Sequence, residues 1–274
     1  MNLYPLLFYV VACGAYVWHF ATRQASVGRV ATTVLVFAAL VHTFVIGMQT
    51  MEFGHVPVAG ATSAISTFVW LLALAYLYTE IRTDERAMGV FILPLLVVLQ
   101  LIPALKPGVE GTAAVLQGPL FQIHVSSLLF AYASFALAFV IGITYVLLFK
   151  EIKAKQLGFF YARLPSLHVL DTMNRRAIVV GWVFLTIGLI VGAVWTPQAR
   201  ASAAADPRVQ AISLGDPTIF IALVCWAVYS FEVFAARRIG WGGRKSAYLS
   251  AVGFGLVLLN LVPVSYFFTN SHNF

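Results

Sequence analysis

Charge is scarce in this chain: 17 Lys plus Arg and 10 Asp plus Glu in 274 residues, or 10% of the sequence, against 61% hydrophobic residues. A soluble domain carries about 25% charged residues, so too few are present to clothe a water-facing surface, and lipid must cover much of it. Cysteine is nearly absent. Cys13 and Cys225 both fall inside apolar runs, which excludes a disulfide framework and a CxxC redox pair. No GxSxG, HExxH or P-loop pattern occurs, clustered carboxylates are missing, and no catalytic residue is assigned. No Lys or Arg precedes the first apolar run, "NLYPLLFYVVACGAYVWHF". That run therefore reads as an uncleaved helix rather than a secretory signal, which needs a positive leading region. The alternation of a transmembrane barrel and the internal repeat of many transporters are also absent.

What remains is a succession of long apolar runs. A helix needs roughly 20 apolar residues to cross the hydrocarbon core, and such runs fall near 3–20, 30–49, 62–79, 88–103, 121–149, 177–195, 217–235 and 247–268. The expected fold class is all-α, a polytopic bundle of about eight transmembrane helices forming one domain over 1–274. The net charge of +7 sits in short loops, which fits membrane orientation and not nucleic-acid binding. The loops after the odd-numbered spans hold fourteen basic residues, among them Arg23, Arg82, Lys150, Arg175, Arg176, Arg237 and Lys245. The other side holds Lys106, Arg200 and Arg208. The positive-inside rule then places both termini outside. The inner loop 150–176 reads as a surface segment with an amphipathic stretch, and 196–216 as an outer loop. Asp216–Pro217 reads as an N-cap and first helical residue opening the seventh span. Glu232, near the inner end of that span, is expected to snorkel or to pair with Arg237 or Arg238. "GWGGRK" reads as an interfacial turn anchored by Trp241.

The six histidines are the residues able to make a metal or cofactor site. The topology puts His19 and His168 (in the inner loop) on the inner side. It gathers His42, His55, His124 and His272 in the outer half. An ionisable residue in a membrane is a functional hypothesis by default, and imidazole is a common axial ligand of haem iron. His124, at the mouth of the fifth span, and His272, on the tail, come from different segments and could grip one porphyrin from two faces. Packing or headgroup contact is the competing account of each histidine, and for His42 a hydrogen bond to a neighbouring helix.

Four stretches carry a resemblance. They are "LPSLHVLDTMNRRAIVVGWVFLTIGLIVGAVW" (164–195), "QIHVSSLLFAYASFALAFVIGITYVLLFKE", "LVHTFVIGMQTMEFGHVP" and "GFGLVLLNLVPVSYFFTNSHNF". Together they resemble the CcsA/ResC/HemX-like family of haem-handling cytochrome c assembly membrane proteins. The resemblance implies that His124 and His272 flank an external haem b as axial ligands, and that His42 and His55 belong to a secondary site or entry path. It also implies a bacterial cytoplasmic-membrane location with periplasmic termini. Implied partners are haem, lipid, other assembly subunits (a haem lyase system among them) and apocytochrome c. Two departures stand out. Of the family's Trp-Trp-Asp haem loop only Trp195 and Asp216 remain, with no Trp between Trp195 and Trp226, and a histidine near Phe234 is missing. Both point toward the HemX-like branch, and hence to an alternative function as a membrane regulator of a haem-synthesis enzyme. A third reading, a small-molecule transporter, has only Pro94 as a hint of a broken helix.

Overall fold

The structure, a computed structural model, describes residues 1–106, 117–155, 158–205 and 217–259. The described residues form helices and connecting turns: α1 (Leu3–Thr22), α2 (Ala25–Phe53), α3 (Ala61–Thr83), α4 (Gly89–Leu105), α5 (Pro119–Lys153), α6 (Phe159–Arg163), α7 (Leu167–Ala205), α8 (Pro217–Phe234) and α9 (Arg244–Leu259). Each of the eight apolar runs overlaps one of the longer helices. Six of these, α1, α2, α3, α5, α7 and α8 with its continuation to Ile239, are long and apolar enough to cross a membrane. The chain is a multi-pass helical membrane protein. α4 is apolar but spans 17 residues, and α9 is described over 16.

Helices α1–α4 pack on one another, as do α5, α7, α8 and α9; α3 joins the two groups by packing on α5 and α7. Cross-links define two ends. At one end Arg176 donates to the Arg82 carbonyl (3.2 Å), Arg175 pairs with Asp171 (3.1 Å), and Glu151 accepts from the Phe160 and Tyr161 amides (3.3 and 2.8 Å). At the other, Asn2 donates to the Pro103 carbonyl (3.3 Å), the Val56 amide to Gln122 (3.2 Å) and Thr67 to the Pro57 carbonyl (2.9 Å). We call these the basic end and the histidine end. Phe44, Leu40 and Phe220 project outward, more than 60% exposed, while Tyr9, Tyr16, Tyr76 and Tyr229 are buried. That is the reverse of a water-soluble bundle and suits a lipid surround.

α5 and α7 form the largest helix–helix interface among the described residues. Lipid is as apolar as any side chain, so helices in it are drawn together by close packing through small residues. Going up α7, Gly181 receives the Phe135 ring, Gly188 receives Leu128 and Gly192 receives His124. The partners run backwards along α5, so the two helices are antiparallel.

The expected inner loop is shorter than the sequence suggests. α5 continues to Lys153, and α7 opens at Leu167 rather than near 177. Ser166 caps it, its hydroxyl accepting from the Val169 amide (3.3 Å), the geometry of an N-cap side chain. His168 therefore stands on the first turn of α7, not in a loop. At its far end α7 runs on through Pro197 to Ala205, so half of the expected outer loop is helix. α4 is likewise continuous through Pro94; the helix is not broken there.

Gly181→Leu should overpack this seam and destabilise the protein by about 1–3 kcal/mol, read as a lower thermal midpoint in detergent. Gly47→Ala, where nothing lies within 4 Å of an added β-carbon, should leave the midpoint unchanged.

Candidate functional site

His124 sits on the second turn of α5, half-buried against α7. Its Nδ1 lies 2.8 Å from the Gly188 carbonyl oxygen. A carbonyl only accepts, so Nδ1 carries a proton, and in the neutral ring the lone pair is then on Nε2, the nitrogen that can coordinate a metal. The contact depends on missing side chains: a β-carbon on Gly192 would stand 2.5 Å from Cε1 of the imidazole. One turn farther along α7, Trp195 lies nearly parallel to the imidazole, with centroids 6.1 Å apart and planes 23° apart. The Phe121 ring lies against Trp195 with centroids 5.2 Å apart. The imidazole is thus oriented by a backbone carbonyl, a glycine notch and an aromatic wall. A metal-ligating histidine is characteristically held this way, through its second nitrogen.

His272 and Asp216, the other expected members of this site, lie outside the described residues. His42 and His55 do not join His124. His42 is fully buried in α2, with Nδ1 3.0 Å from the Tyr9 hydroxyl and Nε2 3.1 Å from Ser66 Oγ. Gln100 adds a bond to Ser66 and one to the Asn2 carbonyl, both 3.4 Å. Both ring nitrogens are therefore engaged by neighbouring helices. His55 is in the turn beyond α2, its Nδ1–H donating to the Val56 carbonyl (3.1 Å). Eleven residues of helix rise, about 16 Å, separate His42 from the end of α2, so the two imidazoles occupy different depths. Among the described residues no group of three or more His, Cys, Asp or Glu could hold a metal ion.

Glu232 departs from expectation. It neither snorkels nor pairs with Arg237 or Arg238; it is 3% exposed and accepts from Ser246 (2.7 Å) and Ser250 (3.2 Å) of α9. The turn Ala235–Ile239 after it is a π turn, which carries the arginines past the carboxylate. Lys245 lies 4.8 Å from the Trp241 ring centroid, in the expected interfacial turn. Sequence reasoning missed the notch of Gly188 and Gly192, although "GLIVG" has the spacing of a small-residue packing motif. It also missed Ser66 as a partner of His42 and Gln100 as a partner of Ser66, which carry no local signal.

These features define a multi-pass membrane protein with one preorganised imidazole at the end opposite its basic residues. The family model for the Cytochrome C assembly protein matches residues 1–272, and the chain belongs to that family. It is similar to the "Cytochrome c biogenesis protein CcsA" of Trieres chinensis (22% identical, covering 99% of this chain and 93% of the relative). The protein of the same name from Guillardia theta is 25% identical over 87% and 83%. That of Prochlorococcus marinus (strain MIT 9303) is 22% identical over 98% and 88%. All three are CcsA proteins, and nothing in these likenesses favours the HemX-like branch.

Replacing His42 by Ala would strand the buried Tyr9 hydroxyl and leave Ser66 with Gln100 alone. A buried polar group left unpaired costs about 1–3 kcal/mol, so His42→Ala should lower the thermal midpoint while leaving the surroundings of His124 intact. Thermal unfolding in detergent, followed by tryptophan fluorescence, checks this.

Proposed function

We propose that this cytochrome c assembly protein binds haem b at its histidine end, with His124 Nε2 as one axial ligand and His272 of the tail as the other, and holds it for transfer to apocytochrome c. The observation that carries this reading is the hydrogen bond from His124 Nδ1 to the Gly188 carbonyl. It selects the tautomer in which Nε2 can donate to iron and fixes the ring plane before any ligand arrives. The residues present fit such a group: Trp195 and Phe121 offer apolar aromatic surface beside the imidazole, and Asp216 with Trp195 would be what remains of the family's haem loop. Haem, when bound, supplies the vinyl carbons to which apocytochrome cysteines are joined; this chain contributes ligation, orientation and shelter.

The direction of presentation follows from charge. Fourteen basic residues gather at one end and three toward the other, so the histidine end faces the non-cytoplasmic side. His42 and His55 take no part in ligation in this reading. The site would work with other subunits of the assembly system, which receive the haem or bring the apocytochrome.

The test is the absorption spectrum of protein purified after growth with ample haem precursor. The wild type should give the sharp visible bands of six-coordinate low-spin haem. His124→Ala and His272→Ala should each lose at least half of the bound haem or shift it to a five-coordinate spectrum, and added imidazole should restore the low-spin bands. A wild type without haem, or spectra unchanged in both variants, would overturn the assignment.

A further inference from the structure

The second ionisable cluster lies at the basic end, where α7, α8 and α9 meet. Glu232 Oε1 accepts from Ser246 and Ser250, and the Asn174 amide of α7 donates to both serines, each at 3.2 Å. Glu232 Oε2 is buried and has no hydrogen-bond partner among the described residues. Beside the carboxyl is a largely enclosed cavity of about 30 Å³, lined by Glu232, Ser246, Val179, Arg175, Ala236 and Arg237. A cavity with roughly 10–15 Å³ of such volume holds a water when polar groups surround it, so this one is large enough and polar enough.

The lining decides what the cavity takes. Two guanidinium groups oppose a metal cation, and the carboxylate opposes an anion, which leaves water and the proton it carries. Arg175 is already committed, donating to Asp171 Oδ2 (3.1 Å) and the Ala236 carbonyl (3.3 Å). The titratable or charged groups around the carboxyl are thus Arg175 from α7, Tyr229 one turn earlier on α8, and Arg237 from the π turn; α9 offers Ser246 and Ser250, which do not titrate. An isolated buried polar atom calls for an explanation such as an internal water, and π turns occur frequently at functional sites.

We propose that Glu232 is a proton-binding site that exchanges with the aqueous phase at the basic end through a water in this cavity. In the neutral state the Oε2 hydroxyl donates to that water. In the ionised state Oε2 accepts from it. Ser246 donates to Oε1 in both states, so a proton moves in or out without breaking the link between α8 and α9. The proton site itself does not depend on haem binding.

Infrared spectroscopy of the full chain in lipid vesicles reads this directly. The wild type should show a protonated-carboxyl C=O stretch that shifts in D2O and vanishes as pH rises. Glu232→Gln should lose that component entirely. Val179→Phe, which fills the cavity, should slow the D2O shift of the Glu232 component at least tenfold. If Glu232→Gln fails to fold, Glu232→Asp should move the component in frequency. The proposal falls if the wild type has no component that Glu232→Gln removes, if that component ignores pH and D2O, or if filling the cavity leaves exchange as fast as before.

Discussion

The close approach of α7 to α5 is the constraint on which the rest of the molecule depends. Three glycines, 181, 188 and 192, open the α7 surface to Phe135, Leu128 and His124 in turn. In water the burial of apolar area could draw two such helices together; in lipid it cannot, and contact at short range must do so. The seam therefore has two consequences at once. It holds the second half of the bundle together, since α8 and α9 pack against this pair. It also brings a backbone carbonyl within reach of an imidazole, which a side chain at position 192 would prevent.

Polar groups inside the bundle settle which helices meet. Tyr9, His42, Ser66 and Gln100 link α1, α2, α3 and α4 in a single chain of hydrogen bonds. Toward the basic end Tyr16 donates to Glu80 (2.6 Å), as does Thr32, which in turn accepts from Arg86 (3.1 Å). Tyr9 and Tyr16 are two turns apart on α1, so one face of that helix addresses both clusters. Interhelical hydrogen bonds in membranes contribute about 0.6–2 kcal/mol each, too little singly to fix a fold. Set at two depths, they select one register of α1 against its neighbours. The Glu232 cluster plays the same part for α7, α8 and α9.

The apolar runs made the helices legible, because a membrane helix announces itself by length and composition, which no tertiary partner can disguise. Helix ends were less legible. The start of α7 at Leu167 was hidden by Arg175, Arg176 and Asp171, which look like loop until Asp171 and Arg175 are recognised as neighbours one turn apart and Ser166 as a cap. His124 could be singled out by its place at a helix mouth. Its carbonyl partner could not, because Gly188 is 64 positions away and a backbone acceptor leaves no mark on the sequence. Glu232 was misjudged for a related reason. Arg237 and Arg238 are near in sequence, and nearness suggested pairing, but the π turn redirects the chain and the serines that reach the carboxylate stand on the next helix.

The contrast between His42 and His124 states what the fold does with its histidines. Both are held by hydrogen bonds, but the partners differ in kind. Tyr9 and Ser66 occupy the two nitrogens of His42 from opposite sides, so that ring is a structural cross-link. Gly188 takes one nitrogen of His124 through a carbonyl that can only accept, so in the neutral ring the lone pair lies on the second nitrogen. The clamp is built from α7 backbone and from stacking on Trp195, not from the outer loop in which the family's tryptophans are missing here. The absence of those tryptophans therefore leaves the orientation of the imidazole untouched. The orientation of His124 rests on helix packing alone, and a change in the outer loop need not disturb it.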